Sequence, residues 1–233
     1  MKNFIAVSIC AFALVACGSE ESSKNTRDAA QNSAPEQAAP AKNAQVAPSG
    51  TMTDAQVFAY ILGKVYGYPP YMNTPDRVGA MLDLDAMIQG IVDNEKALTD
   101  STWELQLSAA AQAEINEYYN KVAEERKAAG ANAPQVALAG PITGQKVVLT
   151  DTTSKIVKYS YAQGVMIDNL FDGMRKNFGE DFEGKFFIQG VRESIYEALD
   201  PSFKKTVPDG RFSAVNAKYK KRMEEIREER RRQ

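Results

Sequence analysis

The sequence contains no histidine among its 233 residues. This absence excludes Ser-His-Asp and Cys-His catalysis and every metal site with a histidine ligand. The net charge of −2 favours no class of partner, and we expect neither a nucleic acid partner nor a bound metal or cofactor. The hydrophobic fraction of 44% is nevertheless sufficient for ordinary helical cores.

Cysteine is also scarce: the chain has Cys10 and Cys17. An apolar run from Phe4 to Ala16 is too short to cross a bilayer as a helix but is typical of the central region of a signal peptide. The stretch Leu14-Val15-Ala16-Cys17 that follows resembles a bacterial lipobox, where a signal peptidase cuts before a cysteine that is then acylated. A plain secretory signal and a buried cysteine are the alternatives. Cleavage would leave Cys17 as the only cysteine, without a partner for an internal disulfide.

The resemblance to a lipobox implies a membrane anchor on Cys17. Several acyl chains on one cysteine hold a protein to a membrane where a single chain would dissociate. In enterobacterial lipoproteins an aspartate after the acylated cysteine signals retention in the inner membrane. None follows Cys17, so the resemblance implies the outer membrane of the bacterial envelope, and we expect a domain that faces the periplasm, with the cell surface as the alternative. Residues 18–50 are rich in Ala, Ser, Asn, Gln and Pro, and we expect a disordered tether that spans about 30 Å.

Two stretches of the remaining chain resemble each other. Tyr60-Ile61-Leu62-Gly63 returns as Tyr161-Ala162-Gln163-Gly164, and Ile88-Gln89-Gly90 returns as Ile188-Gln189-Gly190, at nearly the same spacing. Each copy continues into a long charged segment with helical periodicity. We therefore predict two tandem helical modules, residues 51–130 and 151–233, joined by a linker over residues 131–150.

Each module is predicted to hold three helices. In the first copy a capping box begins at Thr53, Pro69 and Pro70 are expected to end the first helix, and Asp83 caps the second. Thr99 is expected to cap a third helix of about thirty residues that ends at Gly130. In the second copy the first helix ends at Gly179 and the second at Asp200. We expect an insertion over residues 201–208 there, before a third helix capped by Asp209. In the linker, Val147-Val148-Leu149 is β-prone but lacks a partner strand.

The paired stretches resemble a known family. Ser160-Tyr161, Gly164, Phe187-Ile188-Gln189-Gly190 and a long third helix are similar to the N-terminal domain of FKBP-type peptidyl-prolyl isomerases of the Mip and FkpA kind. The first copy departs from that pattern, with Ala59-Tyr60 and Met87-Ile88-Gln89-Gly90. The resemblance implies a domain that dimerises through its first two helices and holds unfolded clients between its long third helices. The β-rich catalytic domain of that family has no counterpart here, so we expect no enzymatic activity.

These observations predict an all-α protein whose two three-helix modules pair within the chain as an intramolecular pseudo-dimer. A homodimer, in which each copy pairs with its own counterpart, is the alternative. The expected pairing interface consists of apolar residues and of glycines that permit close backbone approach: Ile61, Gly63, Val65, Met87, Gly90, Ile91, Gly164, Ile167, Phe171, Phe187, Gly190 and Val191.

The predicted function is a membrane-tethered periplasmic holdase that binds unfolded or partly folded proteins. Aromatic residues in the cleft between the two long third helices are candidates for client contact, or else complete helix packing: Trp103, Tyr118, Tyr119, Phe212 and Tyr219. One alternative is an envelope lipoprotein with a structural or docking role, to which the basic end at Arg230-Arg231-Arg232 would contribute. Another is a subunit of a peptidyl-prolyl isomerase.

The polar residues of the repeat have simpler interpretations than catalysis. We expect Gln89 to hydrogen-bond to a neighbouring loop backbone. The acidic pairs Asp83/Asp85 and Glu180/Asp181 are interpreted as helix caps and solvated charge rather than as an acid-base or cation site. The glutamates that alternate with the terminal arginines are typical of a solvated helix.

Overall fold

The computed structural model describes residues 52–130, 144–200 and 202–232. The lipobox expected at Cys17, the expected tether and most of the linker lie outside the described residues. Within the described ranges the chain is all-α: it forms six helices and no strand. They are α1 (Asp54–Val78), α2 (Leu84–Thr99), α3 (Ala109–Ala129), α4 (Lys155–Phe178), α5 (Gly184–Leu199) and α6 (Asp209–Arg232).

Helix α1 begins at the predicted capping box, since Thr53 Oγ1 accepts from the backbone of Gln56 and the Gln56 side chain accepts from the backbone of Thr53. The prediction that Pro69 and Pro70 end this helix is wrong, because α1 continues to Val78 and stops at Gly79, which has a φ of 74°. An interior proline costs about 3 kcal/mol. Burial of Tyr71 and Val78 beyond the prolines supplies the opposing free energy.

The predicted start of the third helix is also wrong. Thr99 is the last residue of α2, and Asp100 then accepts hydrogen bonds from the backbone and hydroxyl of Thr102, which turns the chain. Ser108 caps α3 instead by accepting from the backbone of Ala111. The segment after α5 repeats this turn, because Asp200 accepts from the backbone and hydroxyl of Ser202. The described residues 202–208 are therefore a counterpart of the loop after α2, and the expected insertion is wrong.

The most extensive helix contacts join different copies of the repeat. Helix α1 of the first copy packs along α5 of the second, and α4 of the second copy packs along α2 of the first. Helices α3 and α6 each lie against both α1 and α4. The core therefore sits where the two crossed pairs meet, and the third helices close it from outside.

Aromatic rings fill the centre of this core. The rings of Phe171 and Phe187 stack at 4.1 Å between α4 and α5. Phe58 on α1 stacks on Tyr219 of α6 at 4.0 Å, and both rings contact Phe178 and Phe182 edge-on. Phe58 comes from the first copy and the other five rings from the second, so residues of both copies share this core.

The β-prone run before α4 is extended but pairs with no strand within the described residues. The side chain of Gln106 takes the place of a partner strand: its Nε2 donates to the carbonyl of Val147 and its Oε1 accepts from the backbone of Leu149. Val147 and Leu149 pack against a small cluster built around Leu107 and Tyr161.

Candidate functional site: the crossed helix pairs and their surface

Helices α1 and α5 cross with their backbones in near contact. A Cβ added at Gly63 would lie 2.0 Å from the carbonyl oxygen of Phe187, and one added at Gly190 would lie 2.0 Å from that of Tyr60. Carbon and oxygen atoms do not approach this closely, so a side chain at either position would force the helices apart. At Gly67, one turn further along α1, an added Cβ would lie 2.7 Å from the side chain of Val191 and 3.0 Å from its Cα.

The crossing of α4 and α2 repeats this geometry with the copies exchanged. A Cβ added at Gly164 would lie 2.0 Å from the carbonyl oxygen of Met87, and one added at Gly90 would lie 2.2 Å from that of Tyr161. Each glycine of the repeat therefore faces the motif of the other copy.

The structure places most of the expected interface residues in the core. Among the apolar ones, Ile61, Met87, Ile91, Ile167, Phe171, Phe187 and Val191 are fully buried. Val65 is different: its side chain is 42% exposed and lies at the outer edge of the α1–α5 pair. Val65 was expected in the pairing interface, and its exposure is a correction: Gly63 and Gly67, rather than Val65, face α5 at the crossing.

Each crossing contains a buried tyrosine bonded to a carboxylate. Tyr60 on α1 donates from its hydroxyl to Glu193 on α5 at 2.7 Å, and Tyr161 on α4 donates to Asp93 on α2 at 3.1 Å. Burial together with Glu193 raises the pKa of Tyr60, and burial together with Asp93 raises that of Tyr161. The tyrosine of one repeat copy is thus held by the acid of the other.

The glutamines of the Ile-Gln-Gly stretches donate hydrogen bonds to these carboxylates. Gln89 donates to Asp93 at 2.9 Å and Gln189 donates to Glu193 at 2.8 Å, one helical turn along the same helix. The expectation that Gln89 bonds to a loop backbone is therefore wrong. The i, i+4 spacing of glutamine and acid is visible in the sequence and was the available signal.

The loops after α2 and α5 supply the remaining donors. Gln106 Nε2 donates to Asp93 at 2.8 Å, while the Thr206 backbone donates to Glu193 at 3.0 Å and its hydroxyl bonds to the same carboxylate. No sequence signal marked Gln106 or Thr206. Each buried acid consequently accepts from its own helix, its own loop and the other copy, which ties the three elements together.

Beyond these shared features the two crossings differ in charge. On the α1–α5 side Lys64 forms an ion pair with Glu197. On the α4–α2 side Arg175 binds Glu95 through two hydrogen bonds of 2.9 and 2.7 Å, and its Nε donates to the Phe182 carbonyl at 2.7 Å. Both pairs bridge the copies.

Asp168 is a fully buried acid at the α4–α2 crossing. Asn94 donates to its Oδ2 at 2.8 Å, whereas its Oδ1 has no hydrogen-bond partner. Burial, followed by the nearby Glu95 carboxylate, raises the pKa of Asp168 to about 8. At neutral pH the neutral acid is therefore the favoured form in the folded chain.

The outer surface beside the α1–α5 crossing is partly apolar. Val65 and Tyr68, 42% and 43% exposed, line a groove of 490 Å³ whose other wall is α5. Met166 and Leu170 are similarly exposed on α4, one helical turn apart and therefore on one face. Side chains of this size are large enough to contact an apolar segment of another protein.

The five residues proposed for client contact fall into two groups. Trp103 and Tyr118 are exposed and carry the ammonium groups of Lys96 and Lys155 over their rings at 4.2 and 3.7 Å. Phe212 is half-buried against the core. Tyr119 and Tyr219 are buried, and Tyr219 donates to Glu180 at 2.6 Å, so these two rings complete helix packing and offer no surface to a client.

The acidic pairs have structural roles here. Asp83 caps α2 by accepting from Ala86, and Asp85 accepts from the backbone of Gly144. In the described ranges no cluster of acidic or cysteine side chains could hold a metal ion, and no helix there is long and apolar enough to cross a membrane.

Compared with known proteins, the chain matches no family model, no curated protein and no solved structure.

Proposed function

We propose that this chain is a membrane-tethered, non-catalytic protein-binding module of the holdase type, related to the N-terminal domain of FKBP-type peptidyl-prolyl isomerases and paired within itself as a pseudo-dimer. The lipobox at Cys17 supports the tether. The reciprocal contacts of the two copies, glycine against backbone and tyrosine against acid, support the internal pairing. Such a scaffold needs no second chain to cover its crossed helices.

The observation that carries the binding role is the groove beside the α1–α5 crossing. Val65 and Tyr68 present apolar surface next to the Lys64–Glu197 ion pair, so a bound segment would meet apolar side chains bordered by charge. Exposed apolar surface of this kind on a rigid helical support is typical of sites that bind other proteins. The client would be an unfolded or partly folded chain that exposes apolar side chains.

The experiment measures aggregation of an unfolded client and, in parallel, a refolding reaction limited by proline isomerisation. A holdase suppresses the aggregation and leaves the proline-limited rate unchanged. Replacing Val65 and Tyr68 together by serine is expected to raise the half-maximal protective concentration about tenfold, which corresponds to about 1.4 kcal/mol. Val148→Ser, at a 66% exposed apolar residue outside the groove, is the matched control. Equal protection by both variants contradicts the assignment of the groove.

The second candidate function is an envelope lipoprotein that docks one defined partner. The observation that favours it is the charge of α6, which ends in Arg230, Arg231 and Arg232 and also carries the solvent-exposed Lys220 and Arg227. Crosslinking in intact cells distinguishes the two functions, since a docking protein returns one partner and a holdase returns many.

A further inference from the structure

We propose that two ion pairs, Lys64–Glu197 and Arg175–Glu95, select pairing between the two different repeat copies and reject pairing between identical copies. The inference rests on the internal pairing included in the proposed function and adds the residues that specify it. Its test measures stability and chain mass, so that its outcome is independent of any client assay.

Most contacts of each crossing involve residues that are equivalent in the two copies, so these contacts do not favour mixed over identical pairing. Tyr60 and Tyr161 occupy equivalent places, each faces a buried acid, and each crossing has glycines against backbone. An identical pair of first copies, or of second copies, would keep all of these contacts. Any selection must therefore come from positions at which the copies differ.

The four charged residues lie at such positions. When the Tyr-x-x-Gly and Ile-Gln-Gly stretches are aligned, the other copy carries an uncharged residue at each place: Val165 for Lys64, Ala97 for Glu197, Thr74 for Arg175 and Ile195 for Glu95. Each ion pair thus has one member from each copy, and neither copy contains both members of a pair at the positions that would meet.

Two first copies paired with each other would place Glu95 opposite Thr74 and Lys64 opposite an alanine. Both charges would lose their partners at both crossings of the symmetric pair. Two second copies would place Arg175 opposite Ile195 and Glu197 opposite a valine. Arg175 would then lose its ion-pair partner, and Glu197 would keep only Lys205 of its own copy, 3.0 Å away. A pair of first copies therefore leaves Lys64 and Glu95 of both copies unpaired, and a pair of second copies leaves both Arg175 side chains unpaired. The observed pairing leaves none of these charges unpaired.

The loss of a partner is costly for these four residues because both ion pairs are largely buried. The side chains of Arg175 and Glu95 are only 17% and 21% exposed, and those of Lys64 and Glu197 are 16% and 30% exposed. A charge that loses its partner in such a place keeps much of its desolvation cost without the compensating attraction. Ion pairs on the surface such as Lys121–Glu117, with both side chains 70% exposed, lack this penalty.

A polar contact between α2 and α4 adds to the same selection. Asn94 donates to Asp168 at 2.8 Å and to Asn169 at 3.1 Å. Serine replaces Asn94 in the second copy and Gly67 replaces Asp168 in the first, so this contact also forms only between different copies.

The first experiment exchanges the charges of one pair in the chain from residue 18 onwards. Glu95→Arg alone and Arg175→Glu alone each place like charges together, and the double variant restores an opposite pair. If the two residues acted independently, the effects of the single variants on the equilibrium constant for unfolding would multiply. We expect the constant of the double variant to be about tenfold or more below that product, which is a coupling free energy of about 1.4 kcal/mol. Light scattering should return the mass of one chain for the unmodified protein and for the double variant. Additive single effects, or a mass of two chains, would overturn the proposal.

The second experiment moves the arginine. Thr74→Arg combined with Arg175→Thr removes the partner of Glu95 in the mixed pairing and offers one in a pairing of two first copies. We expect a two-chain species that grows with concentration and exceeds that of a charge-matched control by about tenfold. The control combines Arg175→Thr with Thr152→Arg, at a residue before α4 and away from the crossings. Equal masses for this variant and its control would refute the selection even if the exchanged pair is stable.

Discussion

Replacing Gly164 by alanine tests the close approach of α4 and α2. The added Cβ would lie 2.0 Å from the Met87 carbonyl oxygen and 2.9 Å from its carbon, where ordinary contact begins at 3.4 Å. Both neighbours are backbone atoms, so no side-chain rotation relieves the overlap. The two helices must separate by about 1.4 Å, the difference between 3.4 and 2.0 Å.

The size of the destabilisation follows from the packing contacts that this separation weakens. Ile91, Met87 and Ile167 are fully buried beside the crossing. A gap of about 0.5–1 Å already forfeits about a quarter to a half of a contact's dispersion energy, so the larger separation costs at least that fraction. For three side chains that each contribute about 2–3 kcal/mol, the loss is about 3 kcal/mol. Alanine returns about 1 kcal/mol of helix propensity, which leaves a net destabilisation of about 2 kcal/mol.

The matched control is Gly173→Ala on the same helix, where an added Cβ meets no atom within 4 Å. That substitution should stabilise the protein by about 0.5–1 kcal/mol through helix propensity alone. The two alanine variants should therefore differ by about 3 kcal/mol in urea unfolding followed by far-UV circular dichroism, with equal m-values. A Gly164→Ala protein as stable as the Gly173→Ala protein would refute the close-packed crossing.

Two further predictions concern the buried polar groups. The pKa of Asp168 is higher in the folded chain than the ordinary carboxyl value, so the folded chain binds this proton more tightly than the unfolded chain does. The resulting contribution to stability is complete below about pH 4 and declines as the pH rises to about 8. The decline is at most about 1.4 kcal/mol per pH unit. Asp168→Asn should remove this decline from unfolding curves measured between about pH 5 and pH 8. Asp172→Asn, at an acid that is paired with Lys176 one turn along the same helix, should not remove it, and parallel pH profiles for the two variants would contradict the burial argument. Tyr60→Phe takes one donor from the buried Glu193 carboxylate and should destabilise by about 1–3 kcal/mol in urea unfolding, while Tyr68→Phe on the exposed face should change stability by less than about 0.5 kcal/mol.

Local signals in the sequence were read correctly where the interaction is local. The capping box at Thr53, the cap at Asp83 and the stops at Gly130 and Gly179 are confirmed, because each depends on residues within one turn of the helix end. The helical periodicity of the apolar residues likewise identified the fold class, since it reflects one buried stripe per helix.

The predictions were wrong where contacts with residues far away in the sequence determine the local structure. Pro69 and Pro70 are helix breakers by local chemistry, yet burial of Tyr71 and Val78 against the rest of the core carries α1 past them. Val65 follows the spacing of a core residue but faces solvent, because the α1–α5 crossing covers the glycine side of the helix instead. Such outcomes depend on the angle at which two helices meet.

By itself the sequence determined that the chain is helical, that it contains one pattern twice, and that each copy has glycines where backbones can approach. Those properties follow from side-chain periodicity and size. Only the tertiary structure decided which acid each tyrosine meets, that Gln106 and Thr206 complete these sites, and that Arg175 faces Glu95. These pairs join residues far apart in the chain, and their meeting is set by how α1 lies on α5 and α4 on α2.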